Sequence, residues 1–165
     1  MIEVFLRPDL KLGLLRFSGN VSVPEIRDVI TATMINTDDP PFGFTAIVDT
    51  RDTISYEASF ACVLSLAEFL RAIFAPGGYH LDIVMLTDTH WKFGMAHMFA
   101  MAASSVGGID VRLFRTEEAI MAVCGAKGDT FQGLFRPEQL YYRCSLCGNP
   151  AANAPGQGGQ ASSRR

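Results

Sequence analysis

A single α/β domain with a mixed, mostly parallel five-stranded sheet is the fold this sequence predicts, and three observations predict it. Short runs rich in Val, Ile, Leu and Phe alternate with stretches whose apolar residues recur three or four apart, the periods of buried strands and amphipathic helices. The changes of period fall at Gly, Pro, Asn, Asp or a Thr suited to begin a helix. The 165 residues are 48% apolar and 19% charged, enough to bury one core and unlike a disordered chain.

The elements follow in order. Residues 2–6 and 12–17 read as a β-hairpin, with Arg7-Pro8-Asp9-Leu10 supplying the turn. Pro24 suits a first helical position, and Ile26, Val29, Ile30 and Thr33 continue at helical spacing, so a helix is predicted over 24–35. Asp38-Asp39-Pro40-Pro41 ends it, because proline disfavours helical geometry in the residue before it. Residues 44–49 then read as a buried strand. A long helix follows over 57–74, with Phe60, Val63, Leu64, Ala67, Leu70 and Phe74 on one face and Pro76-Gly77-Gly78 as its stop. Residues 81–86 are the next strand, and Asp88 stands as cap of a helix carrying Trp91, Met95, Met98 and Ala102. After Gly107-Gly108, residues 111–114 form the last strand, and Thr116 and Gly125 cap a short final helix with Glu117 and Glu118 at its positive end.

The order is thus ββαβαβαβα, and such alternation implies right-handed crossovers between parallel strands. Past Cys147 the composition falls to Gly, Ala, Gln, Pro, Ser and Asn with almost no large apolar residue, so nothing there can offset the entropy of ordering. A domain over 1–143 and a disordered tail over 144–165 are therefore expected.

A net charge of −3 without a basic stripe argues against nucleic acid as a partner. The N-terminus lacks a signal-peptide pattern and the apolar stretch 58–75 is broken by Glu68 and Arg71, so a cytoplasmic protein without a membrane span is expected. Cys62, Cys124, Cys144 and Cys147 are too few for a secreted disulfide framework, and Cys144-Ser145-Leu146-Cys147 is only half a zinc site. His90 and His97 are seven apart, too far for an i, i+4 metal pair, and Cys62 reads as a buried, inert thiol. No phosphate loop or nucleophile elbow is visible, so the expectation is no metal, no cofactor and no catalysis.

Four stretches carry a family resemblance: Phe17-Ser18-Gly19, Ala46-Ile47-Val48-Asp49-Thr50-Arg51, Lys92-Phe93-Gly94-Met95-Ala96-His97-Met98-Phe99, and Val111-Arg112-Leu113-Phe114-Arg115-Thr116-Glu117-Glu118-Ala119. Together they resemble the STAS-like domains, the fold group of the SpoIIAA-type anti-sigma factor antagonists, over roughly residues 1–124. The resemblance implies a non-enzymatic bacterial signalling module that docks a protein partner, a kinase or regulator. It also implies a phosphorylatable hydroxyl in the loop after a central strand. The matching loop here is 49–55, which departs from the Asp-Ser-Ser-Gly type of sequence and offers Thr53 and Ser55 as acceptors.

Ligands of parallel sheets sit beyond the carboxyl ends of the strands, so 49–55, 87–92 and Arg115 share one predicted rim. Its binding candidates are Asp49, Arg51, Asp52, Asp88, His90, Trp91, Lys92 and Arg115, the cations for contacts and the acids as caps or acceptors. The structural reading of the same residues is a loop-fixing Asp49–Arg51 ion pair with Asp88 and Thr116 as caps. The alternative function is a carrier or sensor of a nucleotide or lipid at the same edge, and weak self-association is compatible with either.

Overall fold

Side chains alternate across a strand, so a strand apolar on both sides must be covered on both faces. The central strands here are of that kind. The computed structural model describes residues 1–35, 40–126 and 130–144. Its strands are β1 (Ile2–Arg7), β2 (Leu12–Ser22), β3 (Thr45–Glu57), β4 (Leu81–Leu86), β5 (Ile109–Phe114) and β6 (Leu140–Cys144). They form one sheet in the order β5-β4-β3-β2-β1-β6. β2 to β5 run parallel, and β1 is antiparallel to both β2 and β6.

Helices α1 (Val23–Ile30), α2 (Phe60–Phe74) and α3 (His90–Val106) cover one face, where Val29, Leu66, Leu70 and Ala96 meet Val4, Phe17, Val48, Ile83 and Met85. The short helices α4 (Glu117–Cys124) and α5 (Phe131–Leu134) cover the other, where Ile120, Phe131 and Leu134 meet Phe5, Leu14, Ile47, Val84 and Leu86. The expected α/β architecture and mixed sheet are therefore present.

Several details differ from the sequence reading, among them a fifth helix, α5, and a β2 that runs on to Ser22. The sheet has six strands, because Leu140–Cys144 pairs with β1 and closes that edge of the sheet. Cys144 thus belongs to the strand, while 145–165, most of the expected tail, lies outside the described residues, as do Asp38, Asp39 and Cys147. α1 ends at Ile30 and passes into a π-helical turn, Thr31–Ile35. The central strand runs to Glu57 instead of stopping at Asp49: Thr50, Thr53, Ile54 and Tyr56 are β-branched or aromatic and favour extended backbone, outweighing the polar residues between them. α2 accordingly starts at Phe60, with Ser59 accepting from the Cys62 amide at 3.3 Å.

At α3 the N-cap is Thr89, not Asp88, and its side chain makes no capping bond. Thr116 and Gly125 cap α4 as their types suggest. By length and composition alone the stretch Phe60–Gly77 passes as a membrane span, yet its inner residues Val63, Leu66, Ala67, Leu70 and Phe74 are buried in the domain core.

Candidate functional site

β4 pairs with β3 only over Ala46–Asp49, whereas β2 accompanies β3 from Thr45 to Glu57. The outer half of β3 therefore projects past β4 as a two-stranded ribbon, with no strand along its other edge among the described residues. Register breaks between Arg16 and Ser18 and between Gly19 and Asn20 bend the ribbon, and Gly19 takes the left-handed φ of 70° there. The expected loop 49–55 is thus strand, a correction that changes what each of its side chains can do.

Asp49 is buried and receives Arg51 in a two-pronged hydrogen bond, from Nε at 3.0 Å and Nη2 at 2.8 Å, plus the Arg51 amide at 3.1 Å. The remaining prong of Arg51 donates to Glu117 Oε1 at 2.6 Å, and its guanidinium lies over the Phe131 ring at 5.2 Å. The hydrogen bonds from Arg51 to Asp49, with those to Glu117, hold the guanidinium above its ordinary pKa against the opposing effect of burial. Arg16 and Gln132 extend this polar cluster, Arg16 donating to Gln132 and Gln132 to Glu117, each at 3.3 Å. Sequence reading assigned Glu117 only to the helix dipole; its role as a counter-ion depends on α4 lying beside β3.

Lys92 is buried to 5% exposure, and its ammonium donates to the Arg51 carbonyl and to Asp88 Oδ1 at 2.9 Å. It ties the ribbon to the first turn of α3. Burial pushes the Asp88 carboxyl up, but the Lys92 hydrogen bond and charge outweigh it and hold the group below its usual range. Asp88 is therefore an ion-pair partner, not the cap expected of it. Arg51 and Lys92 are both engaged inside the molecule, which leaves Arg115 as the exposed member of the predicted cationic set; it contacts His90 Nδ1 at 3.4 Å and lies over Phe93 at 4.8 Å.

Thr53 is 4% exposed, with its hydroxyl toward the Phe17 carbonyl at 3.5 Å. Ser55 is half-buried and donates to Asn20 Oδ1 at 2.9 Å, while Asp52 is exposed. Ile54 is 75% exposed. Ile54 is the extra residue of the bulge, opposite no residue of β2. Tyr56, partly buried, packs edge-on against Trp91 at 5.8 Å, and Trp91 is itself 43% exposed. The rim thus combines an open strand edge with exposed Ile54 and Trp91. Sequence reading singled out Trp91 and overlooked Ile54, since a lone Ile between polar residues gives no warning that it faces water.

Cys62, expected to be buried, is exposed at the start of α2, and hydrogen bonding to Ser59, 3.2 Å from its sulfur, lowers its pKa. At the opposite end of β4 and β5, His80, Asp82 and Asp110 bring their potential ligand atoms within 4.8 Å of one another, and His80 contacts Asp110 at 3.0 Å.

No family model and no curated protein matches the chain. Among solved structures it is similar to that of the anti-sigma factor antagonist SpoIIAA in its unphosphorylated form, at 10% identity and a TM-score of 0.46, over 78% of this chain and 100% of that one.

Proposed function

We propose that this chain is a non-enzymatic regulatory module of STAS-like type that docks a protein partner through the outer half of β3 and the start of α3. One observation carries the reading: Ile54 and Trp91 stand exposed beside a strand edge that no other strand covers among the described residues. An open edge offers main-chain hydrogen bonds to an added strand, and neighbouring apolar side chains supply the anchors such a partner needs. Asp52 and Arg115 border the patch as exposed charges. The tight Asp49–Arg51–Glu117 and Asp88–Lys92 contacts hold the ribbon in position instead of serving as ligand contacts. A cytoplasmic setting and a kinase or regulator as partner belong to this same reading.

Within it, Ser55 is the hydroxyl a kinase would reach, since Thr53 is enclosed. A phosphate at Ser55 would break the bond to Asn20 and place negative charge on the ribbon near Glu57, weakening a strand-adding partner without unfolding the core.

The test is affinity capture with the full chain, comparing wild type with Ile54→Asp, Trp91→Ala, Ser55→Asp and, as a remote control, Met101→Ser. A partner held by wild type and by the control, and bound at least about tenfold more weakly by the first two variants, is the expected result; that ratio corresponds to losing about 1.4 kcal/mol of binding. A partner bound equally by all of them would refute the assigned surface.

A further inference from the structure

We infer that the space between the sheet and helices α1 to α3 is a binding site for a small, uncharged, mostly apolar molecule. A cavity of about 180 Å³ lies there. Its floor is one face of the sheet, where Leu6, Gly13, Ala46 and Ile83 are register neighbours across β1 to β4 and all four line the space. The two small residues in the middle of that row leave the floor recessed.

Gly13 gives independent evidence that the recess is empty. It is buried, and a Cβ built on it would meet nothing within 4 Å. Its φ is not positive, so no turn requires glycine there. Interiors are normally packed to the density of organic crystals, and a buried glycine in a strand facing open space departs from that.

The lining decides the ligand class. None of the described lining residues is charged. The Ser22 hydroxyl is occupied in capping α1, that of Thr33 donates to the Val29 carbonyl at 2.8 Å, and Tyr56 contributes a hydroxyl with no hydrogen-bond partner among the described residues. A buried water wants two to four polar partners, so this space favours an apolar occupant over water. An apolar cavity of about 150 Å³ accepts benzene, so this one suits about one aromatic ring with a short alkyl arm, or an aliphatic chain of equal volume. Met34, Met85 and Met95 on the wall are unbranched and adjust to such a guest.

Titration of the full chain with n-butylbenzene, followed by NMR of ¹³C-methyl methionine, tests the assignment. The Met34, Met85 and Met95 methyls should shift while the exposed Met101 stays in place, and the melting temperature should rise by about 2–4 °C near saturation. Gly13→Val should abolish both responses without lowering the melting temperature, because its side chain fills the recess. The assignment is overturned if the wall methyls do not move up to the solubility limit, if Gly13→Val responds like wild type, or if the gentler Gly13→Ala already destabilises the fold. Equal binding of sodium hexanoate would refute the preference for an uncharged guest. These readouts are independent of the partner surface at Ile54 and Trp91, so either assignment can fail alone.

Discussion

At the scale of single residues, the polar side chains of the rim divide into those that hold the ribbon and those that face outward. Arg51 satisfies a buried carboxylate, and Lys92 satisfies a carbonyl of the same strand. Removing one partner of a buried pair leaves the other uncompensated, so Arg51→Ala should cost about 3 kcal/mol. Lys92→Ala should cost about 1–3 kcal/mol, the penalty for an unsatisfied buried acceptor. Urea unfolding measures both, and losses below about 0.5 kcal/mol would put these contacts in the class of ordinary surface pairs. The cysteines divide in a similar way. Ser59 lowers the pKa of exposed Cys62, whereas burial raises those of Cys124 and Cys144. A lowered pKa makes thiolate available at a lower pH, and thiolate is the reacting form. Iodoacetamide at neutral pH should therefore modify Cys62 before Cys124 and Cys144, and Ser59→Ala should slow it. Peptide mapping of the labelled native protein reads the order directly.

At the scale of elements, β6 covers a sheet edge with a short stretch of chain. Five residues, Leu140–Cys144, cover the outer edge of β1, and Arg143 reaches Glu3 Oε1 at 2.6 Å. A chain ending after Cys144 should keep its cooperative melting transition, because the residues beyond it are nearly devoid of large apolar side chains. A chain ending after Gln139 exposes the edge of β1, and should melt lower and aggregate more readily. Equal melting of the two truncations, followed by circular dichroism, would show that β6 contributes nothing to stability. The strand was faintly legible: Leu140, Tyr142 and Cys144 alternate with the more exposed Tyr141 and Arg143, a period-2 pattern hidden by its position next to the polar tail. β3 is the opposite case. Its first half is an apolar run that reads as a strand, but its second half is polar enough to read as a loop.

At the scale of the whole molecule, one sheet is covered by three helices on one side and two short helices on the other, and the two coverings differ in character. The two-helix side is closed by aromatic packing, with Phe5 edge-on to Phe135 at 5.5 Å and Phe131 beside Phe135 at 5.3 Å. The three-helix side keeps the recess over Gly13 and Ala46. The sequence by itself determined what depends on local chemistry and short-range periodicity: the α/β class, the opening hairpin, the position of β4, the Thr116 and Gly125 caps, and the Asp49–Arg51 pair two residues apart. Tertiary structure alone decided the rest. The extension of β3 needs β2 alongside it, Glu117 meets Arg51 from 66 positions away, and Lys92 meets the Arg51 carbonyl from 41. Ile54 is the extra residue where β3 bulges against β2 beyond the end of β4, and the recess exists because Gly13 and Ala46 fall in register. Each is a contact between residues distant in sequence, and such a contact leaves no local pattern, because its energy comes from packing that exists only once the chain has closed on itself.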